Sequence, residues 1–402
     1  MRLGLNLLAA AGLAASAAAA HAAPVAVPGC SKSAVAAAGA AVRTARTELA
    51  AVPLEADETQ VPPPASQAIE KVKDRLRAFV RAEMACAPAS PDVAALADAM
   101  AARSGFFTVV APGQPAPEPP DRHGGSLDYA VHRVDGHPAM LAVVATLGIK
   151  CGSDSMLMLY ERAKGGGWRE LMVRRAGPYS EVKGGWGDLR FAVSPKDAQG
   201  RWFVATVSTT PWCTSAWQGL PFELARPGPA PDRPNVFFRG KGTIYLGDEE
   251  DLVVRAERDA FELRHTGASL DPAVHSRRHV RRYAVSGDSV RRVQPVAENV
   301  RDFVDEWIVS PWPEARDWSG RDPELARVHA RLHPDHYGPL DEFASIRACA
   351  GGLTQVEIGA DEGPGWFFLV RGGDDGPWTM EQVARRAAAG CAGPDRLGRG
   401  AE

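Results

Sequence analysis

Between Met140 and Leu224 short apolar runs alternate with turn residues: MLAVVATLGI, SMLMLYER, WRELMVRR, DLRFAVSP, RWFVATVS and GLPFELAR. Each run is strand-length and bounded by Gly, Pro, Asp or Ser, the pattern of an antiparallel meander. The rhythm continues through NVFFRGKGTIYLG, DLVVRAE, FELRHTG and HVRRYAVSGDSVRRV, in which Ser286-Gly287-Asp288 reads as a hairpin turn. About eleven strands are expected between Phe106 and Val293. Such an array has to close or cover its edges, because open strand edges template aggregation.

The period changes on either side. From Ser31 to about Ala102 it is helical: SKSAVAAAGAAVRTARTELAAV is followed by Ile69, Val72, Leu76, Phe79 and Val80 at three- and four-residue spacing. A third helix, DVAALADAMAARSG, opens after Ser90-Pro91 and ends at Gly105. Five prolines in APGQPAPEPPDR make a linker, and a second proline-rich break lies at Arg226 to Pro234. Beyond Val293 the pattern predicts a short helix over VAENVRDFVDEWI, helical turns in WPEARDWSG, and a helix from Asp322-Pro323-Glu324 to near Pro334. Two strands follow, TQVEIG and GWFFLVRGG, then a last helix announced by a capping box, Thr379 with Gln382, and stopped at Gly390.

The fold class is therefore α+β, predominantly antiparallel β. The division is a signal peptide at 1–22, a helical region at 23–110, a Pro-rich linker at 111–122, a β-rich domain at 123–297 and an α+β unit at 298–402. The signal peptide rests on Arg2, the run LGLNLLAAAGLAASAAAA and the small-x-small site Ala20-His21-Ala22. The expected product is exported, periplasmic or extracellular, with no later run long enough to span a membrane. A lipoprotein reading of Val27-Pro28-Gly29-Cys30 is disfavoured, because the apolar run ends well before it and Pro28 sits where a small residue is usual.

Six cysteines in an exported chain read as disulfides, and their order suggests Cys30 with Cys86, Cys151 with Cys213 and Cys349 with Cys391. There is no CxxC and no zinc-type Cys/His spacing. The net charge of −3 argues against bulk nucleic-acid binding. No cofactor is expected, since the chain has no P-loop, no GxSxG elbow and no GxGxxG after a strand.

Two segments are alike: Tyr160-Glu-Arg-Ala-Lys-Gly-Gly-Gly-Trp168 and Ser194-Pro-Lys-Asp-Ala-Gln-Gly-Arg-Trp202. Each is a polar, Gly-containing turn with Trp opening the next strand. This resembles the inter-strand turns of β-propeller blades, including the Asp-box type, although the spacing departs from Ser-x-Asp-x-Gly-x-x-Trp. The resemblance implies a propeller-like array, with a sandwich or barrel as the alternative, and implies nothing about activity.

Candidate chemistry falls into five groups. Arg277, Arg278, His279, Arg281 and Arg282 crowd one strand, with Arg291 and Arg292 across the hairpin, and guanidinium forks suit carboxylate, sulfate or phosphate. Against an anion site stand Glu298, Asp302, Asp305 and Glu306 close by, acids that would turn the run into a salt-bridged surface. Trp186, Trp212 and Trp217 could stack on sugars or peptides if exposed, and otherwise fill a core. His329, His333 and His336 form a weak metal candidate, with two histidines on one helix face but no zincin Glu. Glu181, Asp188 and Glu223 could supply a glycosidase carboxylate pair. The acidic turns Asp248-Glu249-Glu250-Asp251 and Asp374-Asp375 lack EF-hand spacing.

The expected function is a non-catalytic envelope or secreted binding protein for an anionic or glycan ligand or a partner protein. The alternatives are a carbohydrate-active hydrolase and a structural envelope protein with no small-molecule site.

Overall fold

The structure is a computed structural model that describes residues 25–26, 29–53, 61–105, 123–149, 152–175, 189–209, 217–245, 251–272, 274, 276–333, 340–360, 364–373 and 376–397. Cys151, Cys213, Trp186, Trp212, Glu181, Asp188, His336, Asp248 to Glu250, and Asp374 with Asp375 lie outside the described residues.

Three helices come first. Helix α1 (Lys32–Ala50) is capped by Ser31, whose hydroxyl accepts from Ala34 N at 3.3 Å. Helix α2 (Pro63–Cys86) opens on prolines, which suit a first turn because its amide protons have no partner inside the helix. Helix α3 (Val93–Ser104) is capped by Asp92. Val42, Leu49, Ile69, Val72, Leu76 and Phe79 are buried, as their spacing predicts. The Cys30–Cys86 disulfide ties the start of α1 to the end of α2, as expected. Gly39 is needed on α1 because a Cβ there would lie 2.8 Å from the Arg103 carbonyl of α3.

Four antiparallel sheets follow, each a meander of four consecutive strands. The first holds β2 (Leu127–Arg133), β3 (Met140–Ile149), β4 (Gly152–Arg162) and β5 (Trp168–Arg175), and the two-residue β1 (Val25–Ala26) pairs along the outer edge of β5. The second holds β6 (Leu189–Val193), β7 (Val204–Ser208), β8 (Trp217–Ala230) and β9 (Arg233–Tyr245). The third holds β10 (Val253–Ala256), β11 (Ala260–Ala268), β12 (Ser276–Ser286) and β13 (Ser289–Val293). Helices α4 (Val300–Val309) and α5 (Trp312–Ala315), a 3-10 turn at Arg316–Trp318 and α6 (Glu324–Leu332) lead to the fourth, made of β14 (Phe343–Cys349), β15 (Leu353–Ile358), β16 (Trp366–Arg371) and β17 (Thr379–Ala384).

The continuous apolar run of β3 and β4 has a direct cause. Leu141, Val143, Ala145, Met156 and Met158 face the helices, while Met140, Ala142, Val144, Leu157 and Leu159 face the second sheet. A strand covered on both sides has no polar face to alternate with. On its other face the second sheet packs on the third through Phe203, Phe222, Ile244, Phe261, Leu263 and Tyr283. The fourth sheet shares its core with α4 to α6, where Phe303, Trp307, Val356, Phe368 and Met380 are fully buried.

Three expectations are corrected. The segment from Thr379 is strand β17, not a helix: it pairs with β16, with Thr379 opposite Arg371, and buries Met380 and Val383. Long-range pairing here overrides a local capping signal. The fourth sheet also has a strand, β14, that the pattern did not reveal; its Cys349 bonds Cys391 in the segment after β17. Arg226 to Pro234 is no break, because β8 and β9 run through it as one hairpin. A register shift between Arg226 and Ala230 absorbs the prolines, and Val173 N donates to the Pro231 carbonyl at 2.7 Å. The hairpin turn at Gly287 stands as expected, with positive φ (59°).

Candidate ligand cleft

Among the described residues the first strand of each of the first three meanders is paired on one side only, with the second strand that the chain turns into. These strands, β2, β6 and β10, border one open cleft of about 1000 Å³. Its walls alternate in strand period: Arg190 is exposed and Phe191 half-buried on β6, and Arg255 is exposed between half-buried Val254 and Ala256 on β10. The His132 ring of β2 meets Phe191 edge-on at 5.7 Å, joining the first and second sheets across the cleft.

The cations of the cleft are largely free of acids. Arg133 donates to the Pro91 carbonyl at 2.8 Å, a contact that leaves its charge intact. Arg190 has no hydrogen-bond or ion-pair partner among the described residues. Arg255 is 65% exposed and reaches only Glu262, at 4.0 Å. Of the two cleft acids, Glu257 is already engaged by Arg282 at 2.7 and 3.3 Å, whereas Asp135 is exposed. The cleft therefore carries an excess of unneutralised positive charge.

The arginine strand marked out by the sequence lies elsewhere, in a dry seam between the third sheet and α4. Glu306 accepts from Arg277 Nη2 at 2.7 Å and Arg292 Nη2 at 2.9 Å, and its carboxylate lies 3.3 Å from His279 Nδ1. Arg277 Nε lies 2.9 Å from Asp305, whose other oxygen accepts from Ser269 Oγ and Leu270 N. The His279 ring stacks on His265 at 5.0 Å, nearly parallel. Burial alone would raise the Glu306 carboxyl, but Arg292 and Arg277 hold it well below the ordinary carboxylate range. Burial pushes His265 well below the usual imidazole value, with His279 and Arg281 adding to the effect. His279 is lowered by burial and by Arg277.

At the edges of this seam Arg278 meets Asp251 at 3.2 Å and Glu298 at 3.9 Å, and Arg282 meets Glu257 and Glu262. Arg281 donates to the Lys241 carbonyl at 3.3 Å and has no acid partner among the described residues. Four of the five strand residues are thus committed to carboxylates of this chain. Their acids were legible nearby in Glu298, Asp305 and Glu306.

The remaining candidates are placed as follows. Trp217 is half-buried at the start of β8, edge-on to Tyr245 at 5.1 Å. His329 is buried, with Nε2 3.0 Å from the carbonyls of both Trp307 and Ser310 and its ring against Trp307 and Trp312. Burial lowers it toward the neutral form. His333 lies 5.5 Å from it, ring to ring, and no group of three metal-ligating side chains forms among the described residues. Glu223 is bound by Arg174, lies 3.7 Å from Arg239 and accepts from Thr206.

Sequence reasoning passed over the cleft residues. The available signal was a single arginine in the first strand of each meander, followed by an apolar residue: His132-Arg133-Val134, Leu189-Arg190-Phe191 and Val254-Arg255-Ala256.

No protein-family model, no curated protein and no solved structure matches this chain. The Cys30–Cys86 and Cys349–Cys391 disulfides fit an oxidising compartment, and no described helix is long and apolar enough to cross a membrane.

Proposed function

We propose that the protein is an exported binding protein whose ligand, anionic or glycan in character or a partner protein, occupies the cleft bordered by β2, β6 and β10. In this reading the first three sheets are set propeller-fashion, each contributing its first strand to a shared central space. The supporting observation is the cleft itself, lined by Phe191, by Arg190 with no ion-pair partner among the described residues and by Arg255 reaching only Glu262 at 4.0 Å, while Arg277, Arg278 and Arg282 of the arginine strand are paired with acids. Fixed positive charge bordered by half-buried apolar side chains suits a ligand with anionic groups on an extended body.

The test is a thermal-shift screen of the full chain against anions, acidic and neutral oligosaccharides and peptides. A ligand bound only by the folded protein at about a hundredfold over its Kd adds about 2.7 kcal/mol of stability. The expected result is a stabilising ligand whose effect is lost in Arg190→Glu and Phe191→Ala and kept in Arg278→Ala. Loss in Arg278→Ala with retention in the two cleft variants would move the site back to the arginine strand.

A further inference from the structure

We propose that the cleft takes an extended, acidic polypeptide segment, which adds a strand to an open edge and sets carboxylates against Arg190 and Arg255. This rests on the cleft being the binding site, and it names the chemistry of the occupant.

The backbone argues for a peptide. Strands β2, β6 and β10 pair only with β3, β7 and β11, and no backbone hydrogen bond to their outer edges forms among the described residues. Other edges are covered in part, by β1 along β5, Asp395 bridging to Arg347 on β14 and Ser319 bridging to Met380 on β17. The last strands β9 and β13 are also paired on one side only among the described residues, but only β2, β6 and β10 border the cleft. Rows of unpaired N–H and C=O groups are what an incoming strand satisfies, through a ladder that fixes its register. A glycan has hydroxyls but no matching ladder. The space of about 1000 Å³ admits a short strand and excludes a folded domain.

Charge selects the side chains. Arg190 and Arg255 line the cleft with Asp135, Glu257 is neutralised from behind by Arg282, and the Arg133 guanidinium is drawn off to the Pro91 carbonyl and Ser90 Oγ. On β6 the exposed Arg190 precedes the half-buried Phe191, so the edge offers charge and apolar surface in alternation. A strand paired to that edge presents its side chains with the same period of two. Acidic residues at every second position, with apolar residues between them, fit both features.

The experiment is selection of short linear peptides from a random display library on the immobilised full chain at low salt. The selected sequence is then synthesised and its affinity measured by fluorescence anisotropy. Asp and Glu should be enriched at alternate positions. Affinity should fall about tenfold or more in Arg190→Glu/Arg255→Glu, and similarly when alternate peptide nitrogens are methylated, since losing two or three hydrogen bonds costs that much. Arg278→Ala should bind as the parent does. Both cleft arginines are exposed, so folding of the variant is checked by its melting curve, and Arg190→Gln replaces it if that curve moves.

Selection without acidic enrichment, or binding indifferent to N-methylation, overturns the inference. Binding of an oligouronate that is abolished by Arg190→Glu/Arg255→Glu, with no peptide selected, overturns the peptide and leaves the cleft as the site. Binding of every probe unchanged by Arg190→Glu/Arg255→Glu and by Phe191→Ala overturns both.

Discussion

Arg277 and Arg292, on β12 and β13, have side chains 2% and 3% exposed and end on Glu306. Arg190 and Arg255, on β6 and β10, line the cleft and are exposed to solvent. All four lie on strands in mixed apolar and polar surroundings. What separates them is α4, which lays Asp305 and Glu306 across the face of the third sheet, whereas no element of the described chain lays an acid row across the cleft. A guanidinium count along a sequence is thus a count of possible anion contacts before the chain's own acids have been subtracted. In the seam the subtraction is nearly complete.

The contrast is sharpest in stability. Glu306→Gln leaves two buried guanidiniums without their shared acid and should cost about 3–5 kcal/mol, read as a lowered denaturation midpoint. Arg190→Ala and Arg255→Ala should stay within about 0.5 kcal/mol of the parent. Equal losses at the two places would erase the distinction between them. Replacing Cys349 and Cys391 by Ser should cost about 2–4 kcal/mol by freeing the unfolded chain, with no change in ligand affinity at the cleft.

Acid should act on the seam before the cleft. His265 and His279 are neutral when folded because their imidazole values are lowered, while the unfolded chain takes up protons there below about pH 6.5. Their stabilisation is present above that pH and is lost as pH falls from it toward the lowered folded values. Glu306, held low by Arg292 and Arg277 against its burial, adds a second loss below about pH 4.3. Asp302 works in the other direction: burial raises its carboxyl, so acidification relieves part of its cost. Denaturation midpoints between pH 7 and 4 should fall steadily, and His265→Phe should flatten the upper part of that curve. The smallest effect is expected at the seam's rim. Arg282→Ala removes a pair with exposed Glu257 and one with buried Glu262, which keeps Arg264 as a partner at 2.9 Å, and should cost about 0.5–1 kcal/mol, shrinking further in high salt.

Much of the fold was legible because apolar period survives burial. The three N-terminal helices, the meander and the turn at Gly287 follow from spacing and turn chemistry alone, and Cys30 and Cys349 bond the partners that chain order suggests. Strand β17 was misread since Thr379 and Gln382 satisfy a helical start, and only the neighbouring β16 decides against it. Strand β14 escaped notice for a similar reason: FASIRAC breaks its apolar residues with Ser and Arg, and its strand character comes from β15 beside it. The arginine strand stands out in the sequence, yet its meaning depends on where Glu306 lands. The cleft was invisible because its three walls are separated in sequence, and no single stretch carries more than one of its arginines.

The seam also imposes an order of assembly. Sheets one to three are each built from consecutive strands, so each can close as soon as its own segment has been delivered by an amino-end-first route. The third sheet is the exception in charge. When β13 ends at Val293, Arg277 and Arg292 are in place but Asp305 and Glu306 have not yet arrived. Until α4 docks, that sheet face must stay wet, because dehydrating unpaired guanidiniums is prohibitive. The arrival of Glu306 thus licenses the third sheet to dry, making α4 the latch that completes the part of the molecule before it.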